Sequence, residues 1–395
     1  MWFLLPALLA TTPLTFDQAL TRAEAAPEVT AAAGAASARQ DALGRLGSMT
    51  SNPLLQAQPG LRNENGATLP EGQLTLQQSF NLAGLASARK ETAARELDAA
   101  RWETRGRRRE LRIAAARAWL ETWAVTEAAR AVLEEEAMAK ELVLRIQKAV
   151  ASDGLTRVDL ASARAFAAEA RAFHLSLEGQ AIDAGGRLAV LLGLDDIATV
   201  EGPAPVFDEP AAPSQDAAAT WPGVKRLEAQ VVSERSRGVE AVAQYGTGLQ
   251  VQLQGGHDAP TQWFANVALG VTLPLFDVGL RDRSVHEAQA RLLEGELTRA
   301  KAGARVALAM LKHELEHTAE VYDTVVERQL PAAVEAANLQ LRRFQGGEAT
   351  LQELLVVRRL AVAARVEAIR ARAGLLAARA HAREVLAELA RGDEP

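Results

Sequence analysis

His313-Glu314-Leu315-Glu316-His317 is the arrangement most suggestive of chemistry in this 395-residue chain. On a helix, residues four apart share a face, so both imidazoles could meet one zinc ion with Glu314 beside them as general base. A hydrolytic zinc site also needs a third protein ligand and a shaped, water-poor cleft. No Gly-x-x-His continuation follows; Glu320, Glu327 and Glu335 extend the same charged helical pattern instead. A solvated charged face is the favoured reading, and a zinc-dependent peptidase through His313, Glu314 and His317 remains the enzyme alternative.

Two further groupings invite a chemical reading. Arg105, Arg107, Arg108 and Arg109 could hold phosphate, yet they stand mid-helix among Glu103 and Glu110, where ion pairs are the commoner use. Trp119 and Trp123 fall four apart on one helical face, which favours packing between helices over a ligand box. With four Met, six scattered His and no Cys, the chain has no soft-ligand relay, and we expect no resident metal, cofactor or catalytic residue.

Composition narrows the setting. Hydrophobic residues make up 48%, aromatics only 4% and charged residues 24%, a balance typical of long packed helices. A net charge of -6 offers no general attraction to nucleic acid. No apolar run is long enough for a membrane-spanning helix. The opening Met1-Trp2-Phe3-Leu4-Leu5 stretch reads as the apolar part of a signal peptide over residues 1–14, with a buried N-terminal segment as the alternative.

The elements that would position these residues are written twice. Pro27-Glu28-Val29 is answered by Pro222-Gly223-Val224, and Phe80-Asn81-Leu82-Ala83-Gly84 by Phe276-Asp277-Val278-Gly279, at an offset of about 195 residues. We expect a first repeat over 15–192, a linker over 193–221, a second repeat over 222–389 and a tail over 390–395. Each repeat holds a short helix, two strands and a long helical hairpin. Gly84–Val150 and Gly279–Phe344 carry helical patterns that would each span roughly 100 Å, with Pro331 the single interruption.

The strands alternate in period two. Leu55 and Leu61 face one way in the first; Leu74 and Leu76 do so in the second. Leu249, Val251 and Leu253 alternate with Gln250, Gln252 and Gln254, and Val267, Leu269 and Val271 lie on the apolar phase of the fourth strand. Gly255 to Pro260 reads as a turn between the last two. We expect the apolar phase to face lipid. Open edges in lipid cost several kcal/mol per unsatisfied group, so such strands must close into a barrel. Four are too few, because the smallest membrane barrels have about eight. Three copies would supply twelve. The fold class expected is mainly α with a small β part: duplicated long α-hairpins plus four amphipathic strands, forming a trimeric α-barrel and a 12-stranded transmembrane β-barrel. A soluble coiled-coil scaffold that uses its strands to dimerise is the rival.

At this point the chain resembles the TolC-type outer-membrane efflux family over residues 15–389. Leu273-Pro274-Leu275-Phe276-Asp277-Val278-Gly279-Leu280-Arg281 is similar to that family's strand-to-helix junction, Ser51-Asn52-Pro53-Leu54 to its Asn-Pro lead into the first strand, and Leu191-Leu192-Gly193-Leu194 to the close of its first hairpin. The resemblance implies a homotrimeric duct in the outer membrane, extending into the periplasm and docked on a periplasmic adaptor and an inner-membrane pump. It implies adaptor-facing tips at Gly154, Leu155 and Thr156 and at Gly347 and Glu348. It implies an acidic periplasmic gate at Glu353 and Asp159, with Val356 where some members carry a second acid, and with Arg157 able to pair with Asp159. Ser79 to Arg89 resembles the heavy-metal-exporter branch, although Leu85 and Ala86 stand in place of its basic pair.

Overall fold

A computed structural model of the chain describes residues 11–64, 66–152, 154–211, 215–259 and 262–391. The N-terminal stretch before Thr11, Asp153 at the first tip, Pro213 of the linker, Pro260 of the expected turn and the tail beyond Arg391 lie outside the described residues. The strand β1 (Thr11–Leu14) precedes helices α1 (Phe16–Glu24) and α2 (Pro27–Arg45). β2 (Leu54–Glu64) and β3 (Ala67–Asn81) lead into α3 (Leu85–Ala151), which returns as α4 (Arg157–Leu192). After β4 (Ile197–Val200) and a 3-10 turn (Gln215–Thr220) the plan recurs as α5 (Pro222–Gln244), β5 (Gly248–Ala259) and β6 (Gln262–Thr272). It closes with α6 (Leu280–Tyr322), a π-helical segment (Asp323–Gln329), α7 (Leu330–Gln345) and α8 (Leu351–Ala390). Among the described residues no helix is long and apolar enough to cross a membrane.

The chain divides into two compact units. One holds the residues up to Thr30, Gly106–Thr220 and the chain from Ala304; the other holds Ala31–Arg105 and Trp221–Gly303. Each unit takes pieces of both sequence repeats, so the duplication is not a division into two separate bodies.

In the first unit Trp119 is fully buried and its indole Nε1–H donates to the Leu14 carbonyl at 2.9 Å. Phe16 meets the Trp119 ring edge-on at 5.4 Å, which settles this aromatic as packing. β1 pairs in parallel with β4, a four-residue ladder too short to leave a periodic signal in the sequence. Arg358 grips Glu135 through two bonds of 2.8 and 2.7 Å, and Arg112 joins Glu384 at 2.6 Å, tying α3 to α8. Glu136 is buried outright, with Lys140 at 2.5 Å, Arg171 at 3.3 Å and His174 Nδ1 at 3.0 Å. Burial pushes its carboxyl up, but the bonds from Lys140 and Arg171 outweigh that and hold it below the usual range.

The second unit carries a four-stranded sheet in the order β2-β3-β5-β6, every pair antiparallel. Two sequence expectations need correction in it. Gly255 and Gly256 lie within β5, not in a turn; a Cβ on Gly256 would sit 2.5 Å from the Gly72 carbonyl, so glycine is what lets the strands approach there. The helical pattern before Ser51-Asn52-Pro53, which the sequence carries to about Met49, ends at Arg45 with α2.

Candidate functional site

Register decides what each face of the sheet presents. Leu55 pairs with Leu76, Leu76 with Leu253 and Leu253 with Val267, so one row crosses all four strands. Phe80, Leu249 and Val271 form a second row, and Val251 and Leu269 stand side by side in a third. Leu74 shares this face beside Ala57, and Leu61 lies beside Pro70. Directly paired residues point the same way, so all ten expected apolar positions fall on a single face. The opposite face carries Gln56, Thr75, Gln254 and Asn266 in one row and Gln77, Gln252 and Ala268 in another. Leu61 is 74% and Val267 70% exposed, whereas Thr75 on the polar face is 6% exposed. The oily side is open, the reverse of a soluble sheet packed on a core, while on the polar side Thr75 is buried and Gln56, Asn266 and Ala268 are exposed.

The strand-to-helix junctions repeat with different chemistry. Asn81 Oδ1 accepts from the Ala83 and Leu85 amides at 2.9 and 3.2 Å, while its Nδ2 donates to the Ala243 carbonyl at 2.7 Å. Asp277 Oδ1 accepts from the Gly279 amide at 2.9 Å. Gly279 adopts φ +70, and a Cβ there would lie 2.7 Å from the Ala241 carbonyl, so both backbone and space require glycine.

Both hairpin tips are held by capping boxes. Asp159 Oδ2 accepts from the Thr156 amide at 2.9 Å and its hydroxyl at 2.6 Å; Glu353 Oε2 accepts from the Thr350 amide at 3.0 Å. In return Thr156 Oγ1 accepts from the Asp159 amide, and Thr350 Oγ1 from the Glu353 amide. The Thr156 hydroxyl, then its amide, hold the Asp159 carboxyl below its ordinary range. The expected Arg157–Asp159 pair is not formed among the described residues. Gly154, Thr156, Gly347, Glu348 and Val356 are exposed, whereas Leu155 packs against the cluster of Ile146, Phe166, Leu351, Leu354 and Leu355. Gln352 Nε2 donates to Ser162 Oγ at 2.7 Å, so the first turns of α4 and α8 lie side by side. The capping role of both acids went unread although the Thr-x-x-Asp and Thr-x-x-Glu spacing announces it.

The His-Glu-x-x-His group dissolves into separate parts. The His313 and His317 rings stack at 5.8 Å on the exposed side of α6. Glu314 turns away, taking Arg117 at 2.8 Å and lying 3.1 Å from His381 Nδ1. Burial first, then the Arg117 charge, push the His381 imidazole below its ordinary value against the pull of Glu314. Among the described residues no three His, Asp or Glu gather as a metal cage. Of the arginine cluster, Arg107 pairs with Glu110 at 3.4 Å and Arg105 lies 4.5 Å over the Trp102 ring. Arg109 is buried, and that burial lowers its guanidinium pKa against the pull of Glu110 and Glu388.

No protein-family profile matches the chain, and no curated protein matches it in sequence. Solved structures do match in fold. The outer membrane protein VceC of Vibrio cholerae aligns with 18% identity over 94% of this chain and 95% of its own, with a TM-score of 0.71. The open-state MtrE outer membrane channel of Neisseria gonorrhoeae aligns with 16% identity over 94% and 88%, with a TM-score of 0.75. The Campylobacter jejuni CmeC outer membrane channel aligns with 13% identity over 94% and 85%, with a TM-score of 0.74. The fold is therefore that of the outer-membrane channels which the sequence resembles, a mostly helical chain with a smaller sheet.

Proposed function

We propose that this chain is one third of a passive exit duct in the outer membrane, reaching into the periplasm. The observation that carries the reading is the sheet: an exposed apolar face, a Gln-rich opposite face, and outer strands β2 and β6 that have one neighbour each among the described residues. The strands alternate in direction, so β6 of one copy runs antiparallel to β2 of the next. The same pairing used inside the chain can then join copies, and three of them close a twelve-stranded barrel with water inside and acyl chains outside.

Aromatics mark both ends of the apolar band. Trp263 is exposed at the start of β6, and Phe276 is fully exposed beyond its end. From Trp263 to Val271 the strand rises about 27 Å, or roughly 20 Å once tilted, close to the ~25 Å lipid-facing band of such barrels. The chemistry is that of a conduit: no group is asked to make or break a bond, and energy comes from an inner-membrane pump reached through a periplasmic adaptor. That adaptor would dock at Gly154, Leu155, Thr156, Gly347 and Glu348. Asp159 and Glu353 would line the narrow end with Val356 and Arg157. Each acid uses one oxygen for its cap, so the carboxylates keep a second oxygen toward the lumen while the cap fixes their position.

The purified chain, inserted into planar lipid bilayers, is expected to give discrete ion-conducting steps, and Glu353→Ala to weaken block by divalent cations. A chain that stays soluble without detergent and never conducts would support a coiled-coil scaffold in its place.

A further inference from the structure

We propose that His313 and His317 form a two-histidine clamp on α6 that binds one borderline divalent cation, of the zinc, nickel or copper(II) class, without hydrolytic chemistry. The rings lie one turn apart with centroids 5.8 Å apart and planes within 19° of parallel. Two Zn–N bonds of about 2.1 Å at a tetrahedral angle need nitrogens about 3.4 Å apart. Small side-chain rotations bring rings in this arrangement to that spacing, and the helix supplies the rest of the geometry. Both imidazoles are exposed, and neither takes part in a hydrogen bond or ion pair among the described residues, so no existing bond must break.

The surroundings favour a cation. Exposed Glu316 and Glu320 share this stretch of α6, and Lys312 is drawn to Glu316 at 3.8 Å. His317 and Thr318 also border a cavity of about 850 Å³ lined by Val321, Phe173 and Val366 together with Glu135, Glu169, Glu367, Arg359 and Arg370. Imidazole nitrogens select borderline metals over magnesium and calcium, which take oxygen ligands. With two protein ligands, water fills the open positions. Glu314, the general base of a hydrolytic site, is bound to Arg117 and lies beside His381, so it does not reach that water.

The test titrates zinc chloride into the intact detergent-solubilised chain and follows heat. One zinc per chain is expected, with His313→Gln and His317→Gln each weakening it at least about tenfold. Glu314→Gln and His286→Gln are expected to leave it unchanged. Both histidine variants should keep the unliganded helix signal and melting behaviour of the wild type, since both side chains are exposed. Wild-type zinc affinity in the double His313→Gln, His317→Gln variant would overturn the assignment, as would wild-type binding of magnesium at equal strength. The readout needs no conductance, so its failure and that of the duct reading remain distinguishable.

Discussion

The outgoing helix of the first hairpin runs unbroken for 67 residues, whereas its counterpart in the second is interrupted by a seven-residue π-helical segment. Counting back from Pro331 by the repeat offset of about 195 residues reaches Glu136 or its neighbour Ala137. At matched points one hairpin holds a buried carboxylate and the other a proline. Proline cannot donate an amide, and its ring crowds the carbonyl four residues earlier, here that of Glu327. The π-helical segment absorbs this: the Leu330 amide donates to the Val325 carbonyl, one residue further back than in an α-helix. Duplicated sequence thus produces an unbroken helix and a helix with a π-helical insert, and the second leads directly to the tip that carries Glu353.

Five substitutions would break or sharpen that contrast. The largest effect is expected from Ala137→Pro, an exposed site where proline attacks only the helix; it should cost about 3 kcal/mol in urea unfolding. Glu136→Ala should cost about 2 kcal/mol, because it removes the carboxylate at the Nδ1 of buried His174. Lys140 and Arg171 are substantially exposed, so losing the acid hurts less than at a fully buried pair. Thr156→Ala and Thr350→Ala should each cost about 1 kcal/mol, the first more than the second, since the Thr156 hydroxyl also donates to Asp159. An equal pair would mean that this extra bond adds nothing to the first tip. The smallest change is expected from Pro331→Ala, within about 1 kcal/mol and stabilising, because the π-helical segment has already accommodated the ring. Hydrogen exchange over 323–330 should slow as an ordinary helix re-forms.

Acid tests the first tip alone. Asp159 has a folded pKa below its unfolded one, so its cap is fully stabilising above the ordinary carboxylate range near 3.9 and fades as pH falls through the lower folded value. Asp159→Asn should remove that acid-side loss of stability, measured as urea midpoint against pH.

Much of this was legible in the chain. Period-two alternation placed Leu55, Leu76, Leu253 and Val267 on one face, and the register joins them as a single row. The duplication also foretold two hairpins. Other features were not readable because they depend on partners far along the chain. The bond from Trp119 to the Leu14 carbonyl spans 105 residues, and the Arg112–Glu384 pair spans 272. Glu314 was read with its helical neighbours, but Arg117 and His381 on other helices decide its direction. Pro331 was visible as an interruption, yet nothing local distinguishes a kink from a π-helical segment.

The most direct measurement is the mass of the purified chain in mild detergent, with the detergent contribution subtracted. Three copies per particle are expected, since one chain leaves β2 and β6 without outer neighbours. A single copy per particle, monodisperse and stable when detergent is withdrawn, would contradict a barrel completed between chains.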